Sequence, residues 1–404
     1  MSGRFSDVLS RLRRARDVGM RGVAQRVAQR AYRQTGAAEL SFQIAPDDLL
    51  TAVPDALPVP ARRPAKGAPL VIGWIMSPPT VGSGGHTTLF RMIESLEKRG
   101  HTCIVYIYDM HGVDVEAITR VIRRGWAAVR AEVRDADEGL AGVDAAVASS
   151  WEMAHVLARR GTDPLRRLYF IQDYEPYFYA HGAEYEFAKM TYRLPYRRIA
   201  LGEMLDAMLR EGSGVDSDVV PFGCDSSAYG PPPAGTRRSG IVFYCRPDTP
   251  RRGYFLARAA LEEFHRMHPN EEIHVYGARP EGLDIPVTFH GRLSTDRLNE
   301  LYGRTVTGLA MSFTNITLVA EEMLAAGNIP VVNDMELAHL VLPNPHVRWA
   351  EPTARSLAEQ LSAAVSANDI DERAAAAAAS VVGRSWQPTH DAVVRIIEEE
   401  VYGA

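Results

Sequence analysis

Apolar positions along the chain fall into short continuous runs separated by polar stretches of helical length. Residues 70–76, Leu-Val-Ile-Gly-Trp-Ile-Met, contain no polar position for water to face, which predicts a strand buried on both sides. A loop with Gly82, Gly84 and Gly85 follows. A helix is predicted over 87–99, ended by Gly100-His101, and a second strand over 102–108. Strand, Gly-rich loop, helix and strand make one βαβ unit. Further strands are expected at 145–149, 167–171, 199–201 and 218–220, with helices in most of the gaps.

The alternation then starts again. After Phe222-Gly223-Cys224-Asp225 the chain turns rich in Pro and Gly over 230–235. Beyond it the pattern predicts strands at 239–244, 272–276, 287–290, 306–311 and 329–332, and helices at 254–267, 295–304 and 318–326. Residues 353–368, the Ala-rich 371–382 and 390–402 are expected to form closing helices. The whole predicts an α/β protein of two Rossmann-like, doubly wound domains facing a central cleft. The expected division is a basic helical arm (1–45), a Pro-rich linker or surface strap (46–69), a first domain (70–225), a second domain (236–385) and a C-terminal helix (386–404) that returns to the first.

A chain of 404 residues is long enough for two cores. Its 46% apolar and 24% charged content is that of a globular protein, and no run reaches the ~18–20 apolar residues of a membrane span. No secretory signal is visible. Cys103, Cys224 and Cys245 lack metal-ligand spacing, so they are expected to be reduced and buried, which points to the cytoplasm. The net charge of −5 hides an asymmetry: nine Arg and two Asp between Arg4 and Arg33 give that arm +7 and leave −12 for the rest. Such a balance argues against nucleic acid as a partner. Phe5, Val8, Leu9 and Leu12 share one helical face. That face either lies on the inner surface of the cell membrane, as a peripheral contact, or packs on the body of the protein; both readings stand.

Candidate chemistry gathers at strand ends. The stretch Met311-Ser312-Phe313-Thr314-Asn315-Ile316-Thr317-Leu318 leads a strand into a helix, so its loop exposes amides at a helix N-terminus, a ready place for diphosphate oxygens. Glu322, about one turn in, is placed to accept hydrogen bonds from ribose hydroxyls. Arg246 and Arg252 lie on the loop after the second domain's first strand, where two cations can neutralise a leaving diphosphate. Gln172, Asp173, Tyr174 and Glu175 follow a first-domain strand among aromatics; Asp173 and Glu175 are candidates for the acceptor side, or else a cap and a surface carboxylate. No metal is expected: Asp216-Ser217-Asp218 has the spacing but reads as a turn before a strand.

These stretches resemble retaining GT-B glycosyltransferases of the family-4 type. Glu322 matches the second of that family's two Glu residues, Gly327 and Pro330-Val331-Val332 match its closing strand, and Thr314 stands where the first Glu is expected. Arg252 takes the place of the family's phosphate-binding Lys. His290-Gly291-Arg292-Leu293 resembles a Gly-x-Leu element, which implies base contacts from Gly291, Arg292 and Leu293, with Tyr276 lining the same pocket. The Gly82–His86 loop resembles the family's first βα loop. It implies that Gly84 and Gly85 meet donor phosphate and that His86 and Gln172, with Asp173 and Tyr174, meet the acceptor. Ile-Gln-Asp-Tyr-Glu-Pro and Ser-Phe-Thr-Asn are similar to segments of bacterial rhamnosyltransferases that build rhamnan and S-layer glycans. The resemblance spans roughly residues 68–332. It implies a donor site including Thr314, Asn315, Ile316, Thr317 and Leu318, dTDP-L-rhamnose as substrate, a glycan or lipid-linked glycan as acceptor, no cofactor and transfer with retention. A UDP- or GDP-sugar donor, or a sugar-nucleotide-binding scaffold without catalysis, remain the alternatives.

Overall fold

The computed structural model describes residues 44–225 and 228–403; the arm between Arg4 and Arg33, with its apolar face, lies outside the described residues. The first domain runs β1 (Val71–Met76), α1 (Gly84–Arg99), β2 (Thr102–Ile107), α2 (Val115–Gly125), β3 (Glu132–Asp135), β4 (Ala145–Ala148), α3 (Trp151–Arg160), β5 (Arg166–Ile171), α4 (Ala183–Thr191), β6 (Arg197–Leu201), α5 (Glu203–Ser213) and β7 (Asp218–Val220). The second runs β8 (Ile241–Cys245), α6 (Tyr254–Met267), β9 (Ile273–Gly277), β10 (Thr288–Phe289), α7 (Thr295–Arg304), β11 (Thr307–Leu309), α8 (Thr317–Ala325), β12 (Ile329–Asn333), α9 (Ala338–Val341), β13 (Arg348–Ala350), α10 (Ala354–Val365) and α11 (Ile370–Ala379). A last helix, α12 (Gln387–Tyr402), follows.

Both sheets are parallel and wound outward from their first strand. Their orders are β3-β2-β1-β4-β5-β6-β7 and β10-β9-β8-β11-β12-β13. This is the expected α/β architecture of two Rossmann-like domains. Strand periodicity explains the unbroken apolar runs. In β1, Ile72, Trp74 and Met76 enter the core under α1, while Ile75 enters the core under α3. In β8, Ile241, Phe243 and Cys245 serve one core and Val242 the other.

The differences from the predicted elements have local causes. Helix α1 begins at Gly84, three residues earlier than expected, because Ser83 caps it by accepting from the His86 amide. Strands β3 and β13 escape the hydrophobic pattern because they are sheet edges with polar residues, Glu132-Val133-Arg134-Asp135 and Arg348-Trp349-Ala350. Strand β11 pairs over only three residues of the expected six.

Two crossings hold the domains in register. Helix α12 follows the second domain yet packs on the first, giving Val393, Ile396, Ile397 and Val401 to the α1 core. Arg197 binds it through the Ile396 carbonyl at 3.1 Å and the Glu399 carboxylate at 3.0 Å. Gly223, on the outgoing crossing, lies so close to Trp386, on the returning one, that a Cβ there would meet the indole at 2.6 Å. The Pro-rich segment is bound across the first domain: Asp48 accepts from Tyr108 at 2.8 Å and pairs with Arg160 at 2.8 Å, and the Pro58 carbonyl accepts from Arg167.

Candidate active site

The C-terminal strand edges of the two sheets face each other across a cavity of about 550 Å³. Parallel winding dictates this, since every βα loop leaves its sheet at that edge. Three helix heads open onto the cavity. At α1, Gly84, Gly85 and His86 line it beneath the Ser83 cap. At α3, Ser150 caps the Met153 amide and Trp151, Glu152 and Met153 line the wall. At α8, Asn315, Ile316, Leu318 and Val319 line it, and the N-cap residue, Ile316, has no side-chain oxygen with which to cap the helix. A helix N-terminus carries partial positive charge and amide donors that the helix itself does not use. Its loop is pinned by Asn333, which accepts from the Ser312 amide at 2.9 Å and donates to the Ser312 carbonyl at 2.7 Å. Thr317 is the first residue of α8.

The cations of the cavity are Arg251 and Arg252. They sit in a tight turn, Pro250–Arg252, closed by Gly253 in the left-handed region (φ 60°), where a Cβ would come within 2.8 Å of Phe313. Arg252 donates to the Asn315 carbonyl at 3.3 Å. Arg251 lies 4.1 Å over the Phe178 ring, and its Nε is 3.9 Å from Asp173 Oδ2. Arg251 was not singled out from the sequence, although it precedes Arg252 in the same stretch. Arg246 was, and it lies apart from these two. It is exposed, donates to the Tyr244 hydroxyl at 3.0 Å, and does not line the cavity.

The domains touch directly through polar groups. Thr314, buried, donates to Asp173 Oδ2 at 2.9 Å, and Asn315 Nδ2 donates to the Gln172 carbonyl at 3.1 Å. Burial raises the Asp173 pKa, opposed by Arg251 and Thr314. Gln172 and Asp173 both line the cavity. His86 accepts or donates at Ser83 Oγ, 3.0 Å away, and burial lowers its pKa, so it is neutral near pH 7.

Tyr174, Tyr276, Gly291, Arg292, Leu293 and Glu322 do not line the cavity, whereas Glu175 does. Tyr174 is 2% exposed and points into the first-domain core against Tyr177 and Tyr192; its hydroxyl reaches under Gly212. Glu175 borders the cavity, but its Oε2 is taken by the Trp151 amide at 2.6 Å and by the Tyr169 hydroxyl. It anchors the head of α3 rather than reaching out. Glu322 lies one turn deeper along α8 than Leu318. Its carboxyl meets Tyr229, near Asp225 and Arg91, and burial pushes its pKa up to about 8. Tyr276 is buried, bonded to the Tyr302 hydroxyl at 2.6 Å and stacked 4.8 Å from Tyr244. Gly291 accepts from the Gly277 amide at 2.8 Å, Arg292 is exposed, and Leu293 packs on the second-domain core. These groups sit at the ends of β9 and β10 and along α8, outside the cavity lining.

Sequence reasoning missed Ser150, Trp151, Glu152, Phe178 and Tyr179, all of which line the cavity. The Ser149-Ser150-Trp151-Glu152 run at a strand end carries a cap residue and an acid in a first turn, a signal available in the sequence. The Asp216-Ser217-Asp218 run is engaged elsewhere: Asp216 pairs with Arg210 and Asp218 with Arg197. The three cysteines are free and buried. Burial pushes the Cys224 thiol up to about 12 and the Cys245 thiol to about 11, so neither is a thiolate at neutral pH.

Two doubly wound parallel sheets facing one cleft, with the C-terminal helix returning to the first domain, form the GT-B fold. Residues 239–362 match the family model of the WsaF C-terminal domain, and residues 139–204 match that of the WsaF N-terminal domain. The O-antigen biosynthesis protein RfbC of Myxococcus xanthus is 31% identical over 383 residues, which are 88% of this chain and 29% of RfbC. The chain thus spans under a third of that relative's length. TarM superposes with a TM-score of 0.64 at 9% identity, over 83% of this chain and 99% of TarM. Anabaena HepE in complex with UDP gives 0.60 at 15% identity, over 83% of this chain and 100% of HepE. Both likenesses are of fold.

Proposed function

We propose that the chain transfers L-rhamnose from dTDP-L-rhamnose to a hydroxyl of a growing cell-surface glycan, with retention at the anomeric carbon. The observation that carries this reading is the convergence of Arg251, Arg252 and the heads of α1 and α8 on one interdomain cavity. Fixed cations and free amides stabilise a departing diphosphate more than they stabilise the intact donor, because charge grows on the leaving oxygen as the bond breaks. The bond from the anomeric carbon to the phosphate oxygen loosens and its electron pair goes to the diphosphate. The acceptor oxygen bonds to that carbon on the same face, and its proton passes to the leaving phosphate. No protein nucleophile and no metal take part. Asp173, held by Thr314 and Arg251 between the domains, is placed to hold hydroxyls of the transferred sugar.

The WsaF matches and the RfbC similarity support assigning the acceptor to a surface glycan. In this reading the Arg-rich arm before residue 34 holds the enzyme at the inner face of the membrane, where a lipid-linked acceptor lies. Among the described residues no helix is long and apolar enough to cross a membrane.

A nucleotide screen by thermal shift tests the donor: dTDP is expected to raise the melting temperature and UDP and GDP to leave it unchanged. The reverse pattern assigns a UDP- or GDP-sugar. Incubation with dTDP-L-rhamnose and purified lipid-linked glycan is expected to give a β-linked product by NMR, the configuration of the donor; an α-linked product would mean inversion. The placement of Arg246 and Glu322 outside the cavity lining favours a second reading, a sugar-nucleotide-binding protein without catalysis. Binding of dTDP-L-rhamnose without turnover on any acceptor would establish it.

A further inference from the structure

The α3 wall of the cavity has a chemistry that a diphosphate cannot use. Glu152, 8% exposed, lines the cavity at the second position of that helix. Its Oε2 accepts from Ser150 Oγ at 2.7 Å and its Oε1 from the Tyr179 hydroxyl at 3.4 Å. The Tyr179 hydroxyl itself accepts from Trp151 Nε1 at 3.0 Å, so indole, phenol and carboxyl are fixed as one unit. The groups that act on this carboxyl are burial, Ser150, its own amide and Tyr179; no arginine, lysine or histidine is among them. A buried carboxyl without a counter-ion is costly. Its two oxygens offer about four lone-pair directions, more than Ser150, its own amide and Tyr179 fill.

Neighbouring Glu175 has no such freedom, since the Trp151 amide and the Tyr169 hydroxyl occupy one oxygen behind the wall. Glu152 helps raise the Glu175 pKa, and none of the α3 residues that line the cavity is a cation for a phosphate to meet. A neutral polyhydroxyl ligand fits instead. Its hydroxyls donate to Glu152, and its apolar ring face lies against Phe178 or Tyr179.

We propose that Glu152 is an acceptor-binding residue, taking a hydrogen bond from a hydroxyl of a neutral sugar seated on the α3 wall of the cleft. This rests on the transferase reading above. It assigns the cavity two walls with different tasks, a cationic one for the leaving diphosphate and a carboxyl one for the acceptor.

The test uses the full chain with dTDP-L-rhamnose as donor and octyl α-L-rhamnopyranoside as probe acceptor, comparing wild type, E152A and E152Q. E152A is expected to raise KM for the glycoside about tenfold or more, as loss of a hydrogen bond to a charged group does. Donor KM and the slow hydrolysis of donor without acceptor should stay within about twofold on the same grounds, since Glu152 does not face the diphosphate. E152Q, which keeps the shape and one acceptor oxygen, should fall between. Saturation-transfer NMR of the glycoside should lose its ring-proton signals in E152A. Unchanged glycoside KM and signals in E152A overturn the proposal, as does an equal loss in donor hydrolysis. If E152A melts early, E152Q decides by the same criteria. A wild type that neither transfers nor hydrolyses dTDP-L-rhamnose removes the transferase reading itself, and this proposal with it.

Discussion

The first domain turns the acids Asp173 and Glu152 toward the cleft, with Glu175 behind them, while the second turns Arg251, Arg252 and the head of α8 toward the same space. Both sheets are wound in the same order from their first strand, and both present the same edge. The winding therefore supplies only the location. What differs is how each edge disposes of its polar groups. The acids are gathered by caps and hydroxyls at the head of α3 and after β5. The arginines are presented by a single tight turn that Gly253 makes possible. An anionic leaving group and a neutral acceptor are thereby separated by wall chemistry before any ligand binds.

Removing the cationic wall should give the largest effect. R251A/R252A is expected to lower kcat for dTDP-L-rhamnose by about a thousandfold or more, since a single preorganised donor to a developing oxyanion is worth about 10²–10³. Circular dichroism and melting should stay near wild type. A loss under tenfold would mean that the diphosphate binds elsewhere. The contact between the walls comes next. T314E sets a second carboxylate against Asp173, now 2.9 Å from Thr314 Oγ1. Like charges at that range oppose each other, so small-angle scattering should show a larger radius and activity should fall about a hundredfold, as for loss of a catalytic contact. Adding D173N should restore much of both, and no recovery would show that the pair does not set closure.

A smaller effect is expected behind the second wall. Glu322 has its pKa pushed up to about 8 and Glu321, paired with Arg384 at 2.8 Å, to about 7, burial being the first cause of each. Both native values lie above the unfolded carboxyl value near 4.5. Their stabilising contribution is complete below that value and is lost as pH rises through the native values. Melting temperature should therefore fall between about pH 5 and pH 8 from this source, and E322Q should flatten the curve; an unchanged slope would remove Glu322 as its cause. Least of all, R246A should change kcat by no more than about threefold, as expected of an exposed cation. A large loss there would return Arg246 to the site.

Much of the fold was legible because apolar runs of strand length alternate with helix-length segments, and burial on both faces leaves strands such as β1 without any polar interruption. The edges β3 and β13 were not, because half-exposed strands carry charges and give no continuous run. The site was legible to the level of the loop. The stretches around residues 84–86, 172–175, 246–252 and 314–318 were picked out, and each contributes lining residues. Which residue in a stretch faces inward was not legible. Neighbours such as Arg246 and Arg251, or Asp173 and Tyr174, differ only in the turn that carries them, and a turn's direction depends on contacts such as Gly253 with Phe313 that are remote from local pattern. Glu152 carried a local signal, an acid in the first turn after the Ser150 cap, but that no cation among the described residues pairs with it is visible only in the fold.

The central claim is that the diphosphate is received by Arg251, Arg252 and the head of α8. A crystal structure with dTDP bound tests it most directly. The account predicts phosphate oxygens within hydrogen-bonding distance of the Arg252 guanidinium and the first amides of α8, with Arg251 drawn toward them from Asp173. Phosphates resting beside Arg246 on the outer face of Tyr244, with Arg251 still over Phe178, would contradict it.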